Sequence, residues 1–199
     1  MNRALPLVLA TLLLAACGSE REEAPQQQLT FHEIMKNEID VRADDVWAIG
    51  NAALDENAGL DPSKMSDADW ASLAEHSVAL QQAALQLAAL DPVVVVRDGV
   101  KIADEGVPYG DSAADVQANI DKDTQGMRDM ANTLASHMDD LAVAARAHDS
   151  ATAGPLINQL DSVCESCHLE YWYPSQKEAV EAVQNSGVID PTTEAAPGT

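Results

Sequence analysis

Basic and aromatic side chains are scarce in this 199-residue chain. It has 11 Lys and Arg residues against 33 Asp and Glu, a formal net charge of −22, and aromatic residues make up only 4% of it. The charge argues against a nucleic-acid binder, because an acidic chain repels phosphates rather than displacing their counterions. The few aromatic residues, beside an apolar fraction of 46%, favour helix over sheet. The length suits one domain with tails.

The first sixteen residues predict an export signal. Arg3 gives a positive start, and an uncharged apolar run of 13 residues follows from Ala4 to Ala16. Such a run is too short to span a bilayer, which needs roughly 20 residues. It ends in Leu-Ala-Ala before Cys17, which resembles the lipobox of bacterial lipoproteins and implies that Cys17 is lipidated. An ordinary secretory signal followed by a chance cysteine is the alternative.

These features predict a periplasmic protein that is attached to a membrane by acyl chains. Residues 1–16 form the expected signal peptide and residues 17–29 a flexible tether. By analogy with lipoproteins, Gly18 favours the outer membrane. The folded domain is expected over residues 30–186, and residues 187–199 are expected to be a disordered tail.

Apolar residues recur at helical spacing in four stretches of the expected domain, about residues 30–57, 66–91, 112–148 and 156–173. A short fifth helix is expected over 176–184. Because each long helix has one apolar stripe, we predict an all-α fold, an antiparallel four-helix bundle that hides all four stripes. The first stripe is formed by Phe31, Met35, Ile39, Val46, Ile49 and Ala53.

A small β-hairpin is expected between the second and third helices. Four consecutive valines, Val93 to Val96, are followed by Asp98-Gly99 and then by Val100 and Ile102. Two β-branched groups around an Asp-Gly pair are typical of a hairpin. We assign no chemistry to it.

The two remaining cysteines stand in Cys164-Glu165-Ser166-Cys167-His168, the pattern of covalent haem attachment in c-type cytochromes. On a helix, positions i, i+3 and i+4 share one face. Both thiols can therefore reach the haem vinyl groups while His168 turns its imidazole towards the iron. The sequence thus predicts haem c as cofactor, bound by Cys164, Cys167 and His168.

Three other kinds of site could explain the two cysteines, and the sequence argues against two of them. A thioredoxin-type dithiol lies where a strand turns into a helix, whereas this pair lies within a helical stripe. A structural zinc site needs further ligands, and none is evident in the sequence. A Cys164–Cys167 disulfide in a non-haem helical lipoprotein remains open, although it leaves His168 a coincidence.

A periplasmic four-helix bundle with Cys-x-x-Cys-His on its last helix is similar to the class II c-type cytochromes, the cytochrome c′ and cytochrome c-556 family. The similarity covers roughly residues 30–172. It implies that Cys164 and Cys167 hold the haem, that His168 is one axial ligand, and that Met35 faces the opposite side of the iron. Relatives in that family often dimerise, so a homodimer is also implied.

Three departures from the family pattern stand out. The Arg usual in the first helix, a few residues before the haem-facing position, is missing. The Tyr-Arg often found after the haem histidine is Tyr171-Trp172 here, and the insertion Val93–Gly110 has no counterpart. The missing basic residues leave the location of the haem propionates open.

The sixth position of the iron decides the function. Met35 as sixth ligand gives a low-spin electron carrier, whereas an open site gives a high-spin, cytochrome c′-like protein that binds nitric oxide or carbon monoxide. We expect electron transfer with a redox partner protein and no enzymatic activity. The acidic residues are expected to form a solvated surface that keeps the protein soluble, and the alternative is that the partner docks on them through a basic patch. Among the other histidines, His32 lies off the apolar stripe; His76, His137 and His148 are expected at the surface.

Overall fold

Helices make up most of the chain in the computed structural model, which describes residues 28–57, 59–103, 105–107 and 110–185. Those residues contain no β-strand, and the predicted all-α class is confirmed. The predicted signal peptide, Cys17, the predicted tether up to residue 27 and the predicted tail lie outside the described residues. No helix among the described residues is long and apolar enough to cross a membrane.

Helix α1 combines three consecutive pieces: an α-helical start (Phe31–Ile34), a π-helical turn (Met35–Ile39) and a longer α-helical part (Asp40–Ala52). It begins with a capping box. The Thr30 hydroxyl accepts from the Glu33 N–H at 3.2 Å, and the Glu33 carboxylate accepts from the Thr30 N–H at 2.8 Å. The helix ends five residues before the predicted boundary.

The other long helices lie where the apolar spacing predicted them, although some of their bounds differ. They are α2 (Asp67–Ala88), α3 (Ala113–Lys122), α4 (Thr124–Arg146), α5 (Ser150–Cys167) and α6 (Lys177–Asn185). A π-helical turn, His168–Trp172, continues α5, and short 3-10 turns occur at Pro62–Lys64 and Pro174–Gln176.

The predicted single helix over 112–148 is divided at Asp123, and that prediction was wrong in this respect. Asp123 has φ −148° and ψ 66°, which lies outside the helical region, and its carboxylate accepts from the Gly126 N–H at 2.9 Å. The side chain thus caps the start of α4. Ile120 and Met127 lie seven residues apart on either side, so the apolar spacing continues across the break.

Helix α5 begins six residues earlier than its apolar stripe indicated. Asp149 caps it, since its carboxylate accepts from the Thr152 N–H at 3.2 Å. Pro155 lies inside the helix. Proline has no N–H, so one intrahelical hydrogen bond, to the Ala151 carbonyl, is absent there.

The core lies where α1, α2, α4 and α5 meet. α2 packs along α4, α4 along α5, and α1 against both α2 and α5. Met127 and Met138 are fully buried, and Met130 is half-buried. Other fully buried side chains are Ile34, Ile39, Leu73, Leu80, Ile120, Leu141 and Leu160.

The predicted hairpin is not confirmed, because residues 93–102 contain turns but no strand. The segment bonds instead to the start of α1. Phe31 donates its N–H to the Val94 carbonyl at 2.8 Å, and His32 donates to the Val95 carbonyl at 3.0 Å. The first N–H groups of a helix lack partners within it, and these carbonyls supply them.

Candidate functional site

The predicted attachment residues lie at the C-terminal end of α5. Cys164 and Cys167 are in its last α-helical turns, and His168 is the first residue of the π-helical turn that follows. All three side chains are half-buried, and both thiols are free. Their spacing places them on the side of α5 that faces α1 and α4, where two adjoining cavities are found.

The smaller of these cavities, here called the apolar slot, has a volume of about 30 Å³. Its walls come from α1, α2, α4 and α5, and they include all four predicted site residues. The slot is far too small for a porphyrin as it stands, so its walls must separate to admit one. It is lined by Phe31, Met35, Ile39, Leu87, Met130, Ala131, Leu134, Val163, Cys164, Cys167, His168, Tyr171 and Trp172.

The larger cavity, here called the open cavity, has a volume of about 650 Å³. That size is typical of small-molecule and cofactor sites. It shares Met35, His168 and Trp172 with the apolar slot, so the two cavities adjoin at these three side chains. Its lining residues are His32, Met35, Lys36, Asp40, Lys101, Ile102, Ala103, His168, Trp172 and Tyr173.

Burial keeps both thiols protonated at neutral pH. Loss of hydration raises the pKa of Cys164 to about 12, with a further contribution from the negative charge of Asp161, and raises the pKa of Cys167 to about 11. A redox dithiol or a zinc thiolate instead needs a lowered pKa. The two cysteines therefore have the electrostatics of buried thiols and not of a catalytic pair.

His168 has the properties of a metal ligand. Burial lowers its pKa, although the negative charge of Asp40 opposes the shift, so the imidazole is neutral at neutral pH. A neutral imidazole is the form that binds metals. The Tyr173 hydroxyl lies 3.2 Å from Nδ1 of the ring, which leaves Nε2 for a metal. Burial also raises the pKa of Asp40 in the same cavity.

Met35 lies on the opposite helix of the site, α1. It is half-buried and lines both cavities together with His168. The predicted stripe placed Met35 in a core row, but Ile34 is the fully buried residue at this level of α1. The π-helical turn that begins at Met35 accounts for the difference, because its hydrogen bonds span five residues instead of four, which changes which residues share a face.

Aromatic side chains close the site next to His168. Trp172 stacks on Phe31, with ring centroids 6.0 Å apart and an angle of 21°, and on His32 at 6.4 Å and 24°. Tyr171 is buried and donates its hydroxyl to the Asp123 carbonyl at 3.2 Å. Sequence reasoning placed Tyr171 and Trp172 at this position but missed Tyr173, which contacts the imidazole directly.

The remaining histidines lie away from both cavities. His76 is 3.1 Å from a carboxylate oxygen of Asp45, and Nε2 of His137 is 2.8 Å from the Leu156 carbonyl. His148 stacks on buried Trp70 at 5.3 Å. Contacts to neighbouring residues explain each of these histidines without a ligand.

No group of three or more His, Cys, Asp and Glu residues that could hold a bare metal ion is found within the described part of the chain. Haem iron needs fewer ligands from the protein than a bare metal ion does, because the porphyrin supplies four nitrogen ligands and the protein only one or two axial ones. The donor set fits that requirement: a neutral imidazole, a thioether on a neighbouring helix and two thiols beside an apolar slot.

No protein-family model, curated protein or solved structure matches this chain. The similarity to class II c-type cytochromes therefore depends on the residues that carry it, the Cys-x-x-Cys-His of α5 and its relation to α1.

Proposed function

We propose that the protein is a c-type cytochrome that transfers single electrons, with one haem attached to Cys164 and Cys167. One observation carries the proposal: His168 and Met35, from two different helices, line the same pair of cavities, and both thiols lie beside them. The bound haem would supply an iron that accepts and donates one electron.

The chain's own residues prepare the site for this cofactor. The two thiols are held at i and i+3 on α5, the spacing that two thioether links to one ring require. His168 follows directly, and Tyr173 at 3.2 Å from Nδ1 orients its ring. A partner on the second ring nitrogen fixes a ligating histidine and tunes its basicity.

Met35 is the proposed sixth ligand. Its thioether is half-buried, and its position on α1 matches the position that faces the haem in the class II family. A methionine ligand raises the reduction potential and suits an electron carrier. Trp172 extends from the site towards the first turn of α1, where it stacks on Phe31 and His32 and limits water access.

We further propose that α1, α2, α4 and α5 form an antiparallel four-helix bundle of the class II type. The pairwise packing of these helices supports it. In this arrangement α3 and the segment 93–102 are additions that cover one end of the bundle. A homodimer, as in related cytochromes, is part of the same proposal.

We propose the cellular location of the protein from its N-terminal sequence. Cys17 carries acyl chains that attach the protein to a membrane, with the outer membrane favoured, and the folded domain lies in the periplasm. The net charge of −22 supports a redox partner with a basic docking patch.

The test is the visible spectrum and mass of the mature protein, produced in a host with a haem-attachment system. We expect a coloured protein whose mass exceeds that of the lipidated polypeptide by one haem, with low-spin bands. A variant with both Cys164→Ser and Cys167→Ser is the control and must lose the covalent haem. High-spin bands and carbon monoxide binding by the reduced protein would favour the gas-binding alternative, and a colourless product would leave the non-haem lipoprotein.

A further inference from the structure

We infer that Lys36 and Lys101 bind the two propionate carboxylates of the haem. The segment between α2 and α3 thereby becomes a wall of the haem site. The inference rests on the proposed function, since it concerns the same cofactor, and it assigns a role to a segment that the family similarity leaves unexplained.

The charge of the open cavity is the first observation. The chain has three acidic residues for each basic one, yet among the residues that the structure describes this cavity is lined by two lysines and one carboxylate, that of Asp40. The cavity is therefore locally basic on a strongly acidic protein, which suits an anionic group.

Hydrogen bonds hold the first half of the segment 93–102, which carries Lys101. In addition to the two backbone bonds to α1, the Val95 N–H donates to the side-chain oxygen of Gln117 at 2.9 Å, and the amide nitrogen of Gln117 donates to the Val93 carbonyl at 3.0 Å. Gln117 belongs to α3. The segment is thus bonded on both sides, to α1 and to α3.

Its second half is fixed by an ion pair and by burial. Arg97 donates from Nε and Nη2 to the two carboxylate oxygens of Glu33, at 2.9 Å each. Ile102 is 5% exposed and packs in the core. Lys101 lies between these two attachments, and its side chain is 77% exposed at the cavity.

Among the cavity's residues that the structure describes, the two lysines are the cations available to a ligand. The guanidinium of Arg97 is already occupied by Glu33 in a two-bond pair. Lys101 is 3.7 Å from Glu105, whose side chain is 22% exposed, and an ion pair with one partner as exposed as this lysine contributes little. Lys36 extends from α1, one residue after Met35, so the lysines approach the cavity from two separate elements.

The chemistry of the cofactor requires such partners. A haem bears two carboxylates on one edge, while its vinyl groups lie on the opposite side, where the thiols of α5 attach. An unpaired carboxylate near the iron stabilises the ferric form, which carries one more positive charge than the ferrous form. Neutralisation by lysine therefore raises the reduction potential.

The test is the midpoint potential of the mature haem protein, measured by titration in the visible spectrum. Lys36→Gln and Lys101→Gln are each expected to lower the potential, and Lys101→Arg is expected to retain the wild-type value. The axial-ligand bands and the thermal midpoint should stay unchanged in all three variants, which separates an electrostatic role from a structural one.

Lys64→Gln is the matched control. Lys64 donates to the Leu54 carbonyl, and Leu54 is bridged to Leu60. The backbone of Leu60 contacts α5 at Gly154. Fourteen residues at 1.5 Å each separate that position from His168, so Lys64 lies about 20 Å from the site. Its substitution should leave the potential unchanged.

The outcomes distinguish the two proposals. Haem bound with wild-type potentials in Lys36→Gln and Lys101→Gln would overturn the propionate assignment and leave the cytochrome proposal intact. A lowered potential in Lys64→Gln of the same size would also overturn it, because the effect would then be general surface charge. Absence of covalent haem from the wild-type protein would overturn both.

Discussion

Met35 and His168 each begin a π-helical turn, and their side chains line the same two cavities. The Asp40 N–H donates to the Met35 carbonyl, and the Tyr173 N–H donates to the His168 carbonyl at 2.9 Å, so both bonds span five residues. Such turns are rare and occur frequently at functional sites. Their presence at both proposed axial ligands supports treating the two residues as one site.

Substitution of Met35 tests the sixth ligand. In the haem protein, Met35→Ala is expected to abolish the methionine-type charge-transfer band and to lower the midpoint potential, because a methionine ligand favours ferrous iron. Met65→Ala is the control. Met65 is buried away from both cavities, so its truncation should cost about 2–5 kcal/mol of stability and leave the spectrum unchanged. An unaltered band in Met35→Ala would exclude Met35 as a ligand.

Substitution of Tyr173 tests the orientation of the imidazole. Tyr173→Phe removes the hydroxyl 3.2 Å from Nδ1 of His168. The ligand becomes less basic, so we expect a higher midpoint potential. Tyr171→Phe removes a hydroxyl that bonds to the Asp123 carbonyl instead, and it should cost about 1 kcal/mol of stability without raising the potential. Equal potentials in wild type and Tyr173→Phe would contradict this role.

Glu33 predicts a specific loss of stability in acid. Hydrogen bonds from Arg97, and then from the Thr30 backbone, lower the pKa of Glu33 from 4.5 to about 2. Because the folded pKa is lowered, its stabilising effect is present above pH 4.5 and is lost as the pH falls towards 2. Glu33→Gln should therefore lower the thermal midpoint at pH 7 and converge with wild type near pH 2.

Circular dichroism melting curves at a series of pH values measure this convergence. Glu75→Gln, an exposed position on α2, is the matched substitution and should give curves parallel to wild type. A constant difference between Glu33→Gln and wild type over the whole pH range would show that Glu33 does not act through its charge.

The buried thiols predict slow alkylation. In reduced, haem-free protein with Cys17→Ser, the pKa of Cys164 at about 12, against 9.0 when unperturbed, lowers the thiolate fraction at pH 8 by about a thousandfold. Iodoacetamide should therefore react far more slowly with native than with urea-unfolded protein, as followed by mass spectrometry. Rapid labelling of the native protein would contradict the burial of Cys164.

The acidic surface predicts a salt-dependent reaction with a basic partner. Electron transfer to a basic c-type cytochrome should slow as ionic strength rises from about 0.01 M to about 1 M, since the screening length falls from about 30 Å to about 3 Å. Stopped-flow absorbance measures the rate. A neutral quinone is the control oxidant, and its rate should depend little on salt. A rate with the basic partner that is independent of salt would contradict electrostatic docking.

The sequence predicted the long helices because buried faces impose a period of 3.6 residues, and it yielded the proposed attachment residues because they lie within five consecutive positions. The sequence did not predict the π-helical turn at Met35, since Phe31, Met35 and Ile39 have the spacing of an ordinary α-helix. The break at Asp123 was missed for the same reason, because the apolar spacing continues through it.

Some residues are brought to the site by contacts between distant parts of the chain, and their positions could not be predicted from the neighbouring sequence. Lys101 approaches the cavity because Arg97 pairs with Glu33, 64 residues earlier in the chain, and because Ile102 is buried. The valines of the same segment have strand propensity, but the unpaired N–H groups of α1 bind their carbonyls instead. Such competition between local preference and tertiary partners is decided only in the folded protein.

The position of Gln28 limits the distance between the proposed haem site and the membrane. Its side chain donates to the Pro92 carbonyl and its own carbonyl accepts from Arg97, so the chain is held to the fold four residues before His32, which lines the open cavity. Only ten residues lie between it and Cys17, and a fully extended chain over these eleven steps spans at most about 40 Å. With Cys17 embedded in lipid as proposed, electron exchange is confined to a thin layer above the bilayer, and partners that diffuse laterally meet the cofactor far more often than partners in the bulk.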